Sequence, residues 1–214
     1  MRYLLAGDST VAECEPNELA MSGWGASLPQ YIGADDTVLN FAKGGATTKS
    51  FREEGHWQAV LDALQPGDTV IIQFGHNDQK HPELLAASGG YTNRLRDFVR
   101  EARSAGARVV LCTSVERRLF EGGRIRWSHG AYPAAVRQLA RGVDVPVIEL
   151  TAFTTWLYEH LGEEKSAQLF TPSDNTHFHE KGADAIASYI AITLRGLEGR
   201  DDALASLGRP EIMP

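Results

Sequence analysis

Short, nearly unbroken apolar runs recur along the chain, and between them apolar residues fall at helical spacing. The first run, 3–6, stops abruptly at Gly7-Asp8-Ser9, which reads as a buried strand ending in a tight turn that carries a hydroxyl. A polar loop follows over 13–22, after which Trp24, Leu28 and Ile32, at i, i+4 and i+8, predict one face of a helix. Residues 37–41 read as a short strand and 43–48 as a loop, and Trp57, Val60, Leu61 and Leu64 mark a second helix stopped by Gln65-Pro66-Gly67-Asp68. Residues 69–75 give the strongest strand signal. They are almost wholly apolar, as a central parallel strand covered on both faces must be, and they end in Gly75-His76-Asn77-Asp78. Beyond them the pattern predicts a helix over 91–103 with Leu95, Phe98, Val99 and Ala102 on one face, and a strand over 107–113. A helix over 131–140, a strand over 145–150 and a helix over 153–161 follow. A last helix over 184–197 carries Ala185, Ile186, Tyr189, Ile190 and Thr193 at helical spacing.

Strand and helix alternating about five times predict an α/β fold, a parallel sheet with helices on both faces. Nothing in the pattern divides the chain, so residues 1–197 are expected to form one domain and 198–214 a polar arm. Two loops, 79–90 and 116–130, are longer than an ordinary connection. Both leave the carboxyl ends of strands, where such sheets place their ligand sites, and the second carries Arg117, Arg118, Arg124 and Arg126. Walls of a cleft and, for the arginines, an ordinary solvated loop are equally open readings.

Composition narrows the classes. The chain has 214 residues, 43% hydrophobic and 23% charged, within the range of globular proteins. A net charge of -7 without a dense Lys/Arg cluster argues against a nucleic-acid partner. No apolar run approaches a membrane span, and the apolar start is too short for a secretory signal, so no membrane partner and a cytoplasmic location are expected. Cys14 and Cys112 make no metal spacing and no disulfide framework; Cys112 is expected to be a buried thiol.

Candidate chemistry gathers where the predicted strands end. Ser9 follows the first. Near the chain end, Asp174 and His177 stand three apart, a spacing that lets a carboxylate orient an imidazole base. His179 has a similar address but directly precedes the last helix. His56, His81 and His160 have no carboxylate at a telling spacing, whereas His76 and His129 fall in strand-end loops that border the expected cleft. Glycine at 44–45 can present a backbone N–H closely to a ligand, and the Asn77 amide supplies further donors. With the Ser9 N–H these make a three-donor oxyanion site. Each of these residues, taken singly, is also an ordinary turn residue. Their joint placement on successive strand ends is what points to acyl transfer.

These blocks resemble those of the SGNH (GDSL-type) hydrolase superfamily: Gly7-Asp8-Ser9, Gly45, Gly75-His76-Asn77-Asp78 and Asp174-Asn175-Thr176-His177. Within it the chain is most similar to the rhamnogalacturonan acetylesterases. That match rests on Gly7-Asp8-Ser9-Thr10-Val11, Gly23-Trp24-Gly25, Phe74-Gly75-His76-Asn77-Asp78, His129-Gly130-Ala131-Tyr132-Pro133, and Asp174-Asn175-Thr176-His177-Phe178 before Lys181-Gly182-Ala183. The resemblance implies a flavodoxin-like three-layer α/β/α fold with a five-stranded parallel sheet. It also implies Ser9 as nucleophile, His177 as base, Asp174 as its orienting partner, and Ser9, Gly45 and Asn77 as oxyanion donors, with no metal or organic cofactor. Gly44 stays open as an alternative to Gly45. The second block departs from the family, with Ala46 where those esterases usually carry arginine. Trp24, Ala46, His76, Asp78 and His129 are the expected substrate contacts, while Asp8 is expected to hold the turn. The expected function is a serine esterase that removes O-acetyl groups from carbohydrates, with pectin-derived (rhamnogalacturonan) oligosaccharides as substrate. The alternatives are a lipase or thioesterase using the same residues on other acyl esters, and a non-catalytic carbohydrate-binding protein on a hydrolase scaffold. Assembly into a homo-oligomer is left open.

Overall fold

The computed structural model describes residues 1–14, 21–172, 174–197 and 199. Five parallel strands, β1 (Arg2–Gly7), β2 (Thr37–Asn40), β3 (Thr69–Gln73), β4 (Arg108–Cys112) and β7 (Val147–Ile148), pair in the order β2-β1-β3-β4-β7. This is the flavodoxin-like order. Its direction reverses between β1 and β3, and a crevice opens at their carboxyl ends. Two further strands, β5 (Phe120–Glu121) and β6 (Arg124–Ile125), form a small antiparallel hairpin inside the loop expected over 116–130.

Helices cover both faces: α1 (Trp24–Ser27), α2 (Thr48–Glu53), α3 (His56–Ala63), α4 (Pro82–Leu85), α5 (Thr92–Ser104), α6 (Tyr132–Val143), α7 (Leu150–Ser166) and α8 (Glu180–Leu197). Side chains of successive strand residues point to opposite faces, so alternate positions of β1 and β3 feed different cores. Leu5 and Ile71 pack with α1, α7 and α8 residues; Leu4, Val70 and Ile72 pack with α3, α5 and α6. Every residue of β3 is buried, and burying each of its Val and Ile side chains contributes about 1.5–3 kcal/mol.

Where element bounds differ from the sequence pattern, the cause is local. The stripe from Trp24 to Ile32 is not one helix, because Pro29 lacks an N–H and the chain tightens into a 3₁₀ turn over Leu28–Gln30. β7 is shorter than its apolar run and begins after Pro146, whose carbonyl still accepts from Leu111 N (3.0 Å). α8 starts earlier than 184 and buries Ile186, Ile190 and Leu194, with Tyr189 only partly covered. Part of the polar loop expected over 13–22, and nearly all of the arm expected over 198–214, lie outside the described residues.

Candidate active site

Ser9 sits half-buried on the turn that leaves β1. Asp8 builds this turn. Its Oδ1 accepts from Thr10 N (3.0 Å) and Thr10 Oγ1 (2.8 Å), and its carbonyl accepts from Val11 N and Ala12 N, both at 3.0 Å. A network below locks the arrangement: Trp24 Nε1 donates to Gln73 Oε1 (2.9 Å), and Gln73 Nε2 donates to Thr10 Oγ1. The glycines around Trp24 are needed for close approach. A Cβ on Gly23 would lie 2.4 Å from Ala12 O, and one on Gly25 2.4 Å from Val11 O. On its other side, Asp8 Oδ2 faces His76 Nδ1 at 3.3 Å. Burial alone would raise the Asp8 carboxyl, but the His76 imidazole and the Thr10 hydrogen bonds outweigh it and hold the group below the usual carboxylate range.

The segment before α8 brings the second pair. His177 Nε2 lies 3.1 Å from Ser9 Oγ, and His177 Nδ1 lies 2.7 Å from Asp174 Oδ2. Asp174 Oδ1 accepts from the backbone N–H groups of Thr176 (2.6 Å) and His177 (3.0 Å). Desolvation opposes the charge on Asp174, but these bonds, with the one from the His177 ring, hold its carboxyl low. Thr171 N donates to His177 O (3.0 Å) and His179 N to Leu169 O (2.9 Å), which ties the segment down on either side of buried Phe178. Arg118 reaches across to give Nη1 to Asn175 Oδ1 (2.7 Å) and its own N–H to Asn175 O (2.8 Å).

The candidate oxyanion donors come from two further loops. Gly45 has φ of +76°, a left-handed conformation that glycine adopts without strain. Asn77 Nδ2 donates one bond to Ala46 O (3.1 Å), and Asn77 Oδ1 accepts from Lys80 Nζ (2.8 Å), so the amide is oriented and keeps a second N–H. The same two loops are joined from below by Asp78. Its Oδ1 accepts from Thr48 N (2.9 Å) and Thr48 Oγ1 (2.5 Å), while Oδ2 is buried without a partner. Burial, with repulsion from Asp8, pushes the Asp78 carboxyl up to about 6.

The residues expected as substrate contacts, Trp24, Ala46, His76, Asp78 and His129, are all buried, at 3% exposure or less, and His129 also lines a neighbouring groove. They are covered because each serves a neighbour: Trp24 fixes Gln73, Ala46 takes the Asn77 bond, His76 meets Asp8, and Asp78 caps Thr48. His129 Nε2 donates to Val115 O (2.8 Å), its ring stands edge-on to His76 at 4.6 Å, and desolvation pushes its pKa down to about 2, so it stays neutral. The arginines of the long loop divide. Arg117 Nη2 reaches His76 O (3.4 Å), Arg118 braces Asn175, Arg124 pairs with Glu159, and exposed Arg126 lines no part of this network. The sequence pattern missed Gln73, although a single glutamine at the end of an apolar strand was a usable signal. It also missed Thr48, for which nothing local gives a sign, and marked Arg118 only as one of four arginines in a long loop. Among the described residues, no three His, Cys, Asp or Glu side chains gather as a metal site.

A parallel sheet of order β2-β1-β3-β4-β7 with serine, imidazole and carboxylate at its carboxyl edge has the layout of an α/β hydrolytic enzyme. The chain belongs to the GDSL-like lipase/acylhydrolase family, whose model matches residues 5–185, and it is a carboxylic ester hydrolase. It is 43% identical over 228 aligned positions to the rhamnogalacturonan acetylesterase RhgT of Bacillus subtilis, covering 99% of this chain and 98% of that protein. It is 27% identical to the rhamnogalacturonan acetylesterase of Emericella nidulans, over 86% of this chain and 80% of that one. Among solved structures, the YxiM protein of Bacillus subtilis superposes with a TM-score of 0.81 at 30% identity, over 92% of this chain and 56% of that one. An acetylxylan esterase from Geobacillus stearothermophilus shares the fold, with a TM-score of 0.66 at 20% identity over 90% and 92% of the two chains.

Proposed function

We propose that the protein is a carbohydrate O-acetylesterase in which Ser9, His177 and Asp174 act as a catalytic triad. The observation that carries this reading is the line Ser9 Oγ–His177 Nε2–His177 Nδ1–Asp174 Oδ2, with links of 3.1 and 2.7 Å. His177 takes the Ser9 proton as Oγ attacks the acetyl carbonyl. Asp174 holds the ring so that Nδ1 carries its proton and Nε2 is free to accept one, and it stabilises the imidazolium that forms. The oxyanion is received by the N–H groups of Ser9 and Gly45 and by the free N–H of Asn77, donors whose directions are set before the charge develops. Collapse of the tetrahedral intermediate passes the His177 proton to the departing sugar hydroxyl and leaves acetyl-Ser9. Water, deprotonated by His177, repeats the sequence and releases acetate.

The substrate class rests on the relatives. Sequence identity to a rhamnogalacturonan acetylesterase extends over nearly the full length of both chains, which supports acetylated rhamnogalacturonan oligosaccharides as substrate. The test is acetate release from such oligosaccharides. Wild type is expected to release acetate and Ser9→Ala to release none above background. Release by Ser9→Ala at the wild-type rate overturns the triad. Hydrolysis of octanoyl esters in preference to acetyl ones overturns the substrate class.

A further inference from the structure

A groove of about 470 Å³ lies between the 116–130 segment, the start of α6 and α7. Glu116, Trp127, Arg137, Thr151, Trp156 and Glu159 are among the residues that line it. Its volume is that of a small-molecule site. Trp127 is 79% exposed and Trp156 48% exposed, an unusual amount of open indole for one concavity. The Trp156 ring is held in place by stacking on His160 (5.2 Å) and against Phe153 (6.2 Å), which itself stacks on Tyr189 at 3.9 Å. The floor carries a second sign of a ligand. Glu116 is 1% exposed; its Oε1 accepts from Arg117 N, Ser128 N and Ser128 Oγ, but Oε2 is buried with no partner. A buried carboxylate oxygen left without a donor is costly unless something supplies one.

We propose that this groove is a saccharide subsite that holds sugar units of the substrate away from the acetylated one; the proposal rests on the carbohydrate reading given above. Its chemistry fits a pyranose. The electron-rich indole faces of Trp127 and Trp156 take the sugar's polarised C–H groups, and Thr151, Thr155 and Glu159 line the same groove to meet its hydroxyls. A hydroxyl is also the donor that Glu116 Oε2 lacks. The groove shares the 116–130 segment with the candidate active site: Glu116, Trp127 and His129 line it, while Arg117 of the same segment reaches His76 O beneath the Ser9 turn.

The experiment compares wild type with the double variant Trp127→Ala/Trp156→Ala, whose folding is checked by its melting temperature. The variant is expected to lose about tenfold more kcat/KM on acetylated rhamnogalacturonan oligosaccharides than on 4-nitrophenyl acetate, the loss lying in KM. Calorimetric binding of the chemically deacetylated oligosaccharide should weaken by about the same factor. Equal losses on both esters, with unchanged binding of the deacetylated oligosaccharide, overturn the subsite and leave the esterase reading intact. Tryptophan-dependent binding by a wild type that releases no acetate keeps the subsite and overturns the esterase reading. Self-association that disappears in the double variant, with no saccharide binding, makes the groove a protein interface and overturns the subsite.

Discussion

Two aspartate–histidine pairs flank Ser9, and they differ in almost everything but composition. Asp174 and His177 are each about one-third exposed and 2.7 Å apart, and the free ring nitrogen points at the serine hydroxyl. Asp8 and His76 are 0% and 3% exposed and 3.3 Å apart, and the outer ring nitrogen of His76 finds no partner. A histidine that must gain and lose a proton in each turnover needs a path to water and a substrate; one sealed under the turn has neither. The open pair is therefore fitted to move protons. The sealed pair is fitted to hold the Ser9 turn in shape, with Gln73 and Thr10 as its supports. Residue type alone does not distinguish the two. Burial does.

The comparison predicts separate consequences. The largest belongs to the open side: Ser9→Ala or His177→Ala should lower kcat by at least about 10³-fold on any acetyl ester, with little change in unfolding free energy, read by steady-state kinetics and urea titration. On the sealed side the order reverses. His76→Ala leaves Oδ2 of the buried Asp8 carboxylate without its imidazole partner and should cost about 3–5 kcal/mol of stability in urea unfolding. Whatever remains folded should keep kcat within about tenfold of wild type.

Asp78 sharpens the point through pH. Its carboxyl sits at about 6 in the folded protein against an ordinary 3.8, because burial disfavours its charge. The native state therefore holds this proton more tightly than the unfolded chain does. Stability from this group is full below about pH 4 and is lost as pH rises through about 6, by roughly 3 kcal/mol in all. Asp78→Asn should remove that downward slope, measured as unfolding free energy between pH 4 and pH 7. A smaller effect is expected at Arg118, which braces the open pair from outside through Asn175. Arg118→Ala should lower kcat by less than about tenfold and hardly alter the melting temperature, since it loosens an aligned base without exposing core.

Much of this was legible in the chain itself. The apolar runs ending at Gly7, Gln73 and Cys112 mark the strands because parallel strands are covered on both faces, and Asp174 and His177 advertise themselves by spacing. Burial of polar residues was not legible. His76 and His129 look like cleft residues because they follow strands, yet both are buried: His76 meets Asp8 from the distant turn after β1, and His129 closes its own loop onto Val115. Trp24, one of the expected substrate contacts, is covered because its partner Gln73 comes from a distant strand. The exposed tryptophans that do line a groove, Trp127 and Trp156, come from separate elements, and only the packing of α7 beside the hairpin brings them together.

The most direct test of which pair serves Ser9 is its rate of labelling by a fluorophosphonate, in which the Ser9 oxygen bonds to phosphorus and fluoride leaves, followed by intact-protein mass. The account predicts one adduct per wild-type chain, mapped to Ser9, slowed by at least about 10³-fold in His177→Ala and by less than about tenfold in His76→Asn. Rapid labelling in His177→Ala together with loss of labelling in His76→Asn would contradict it.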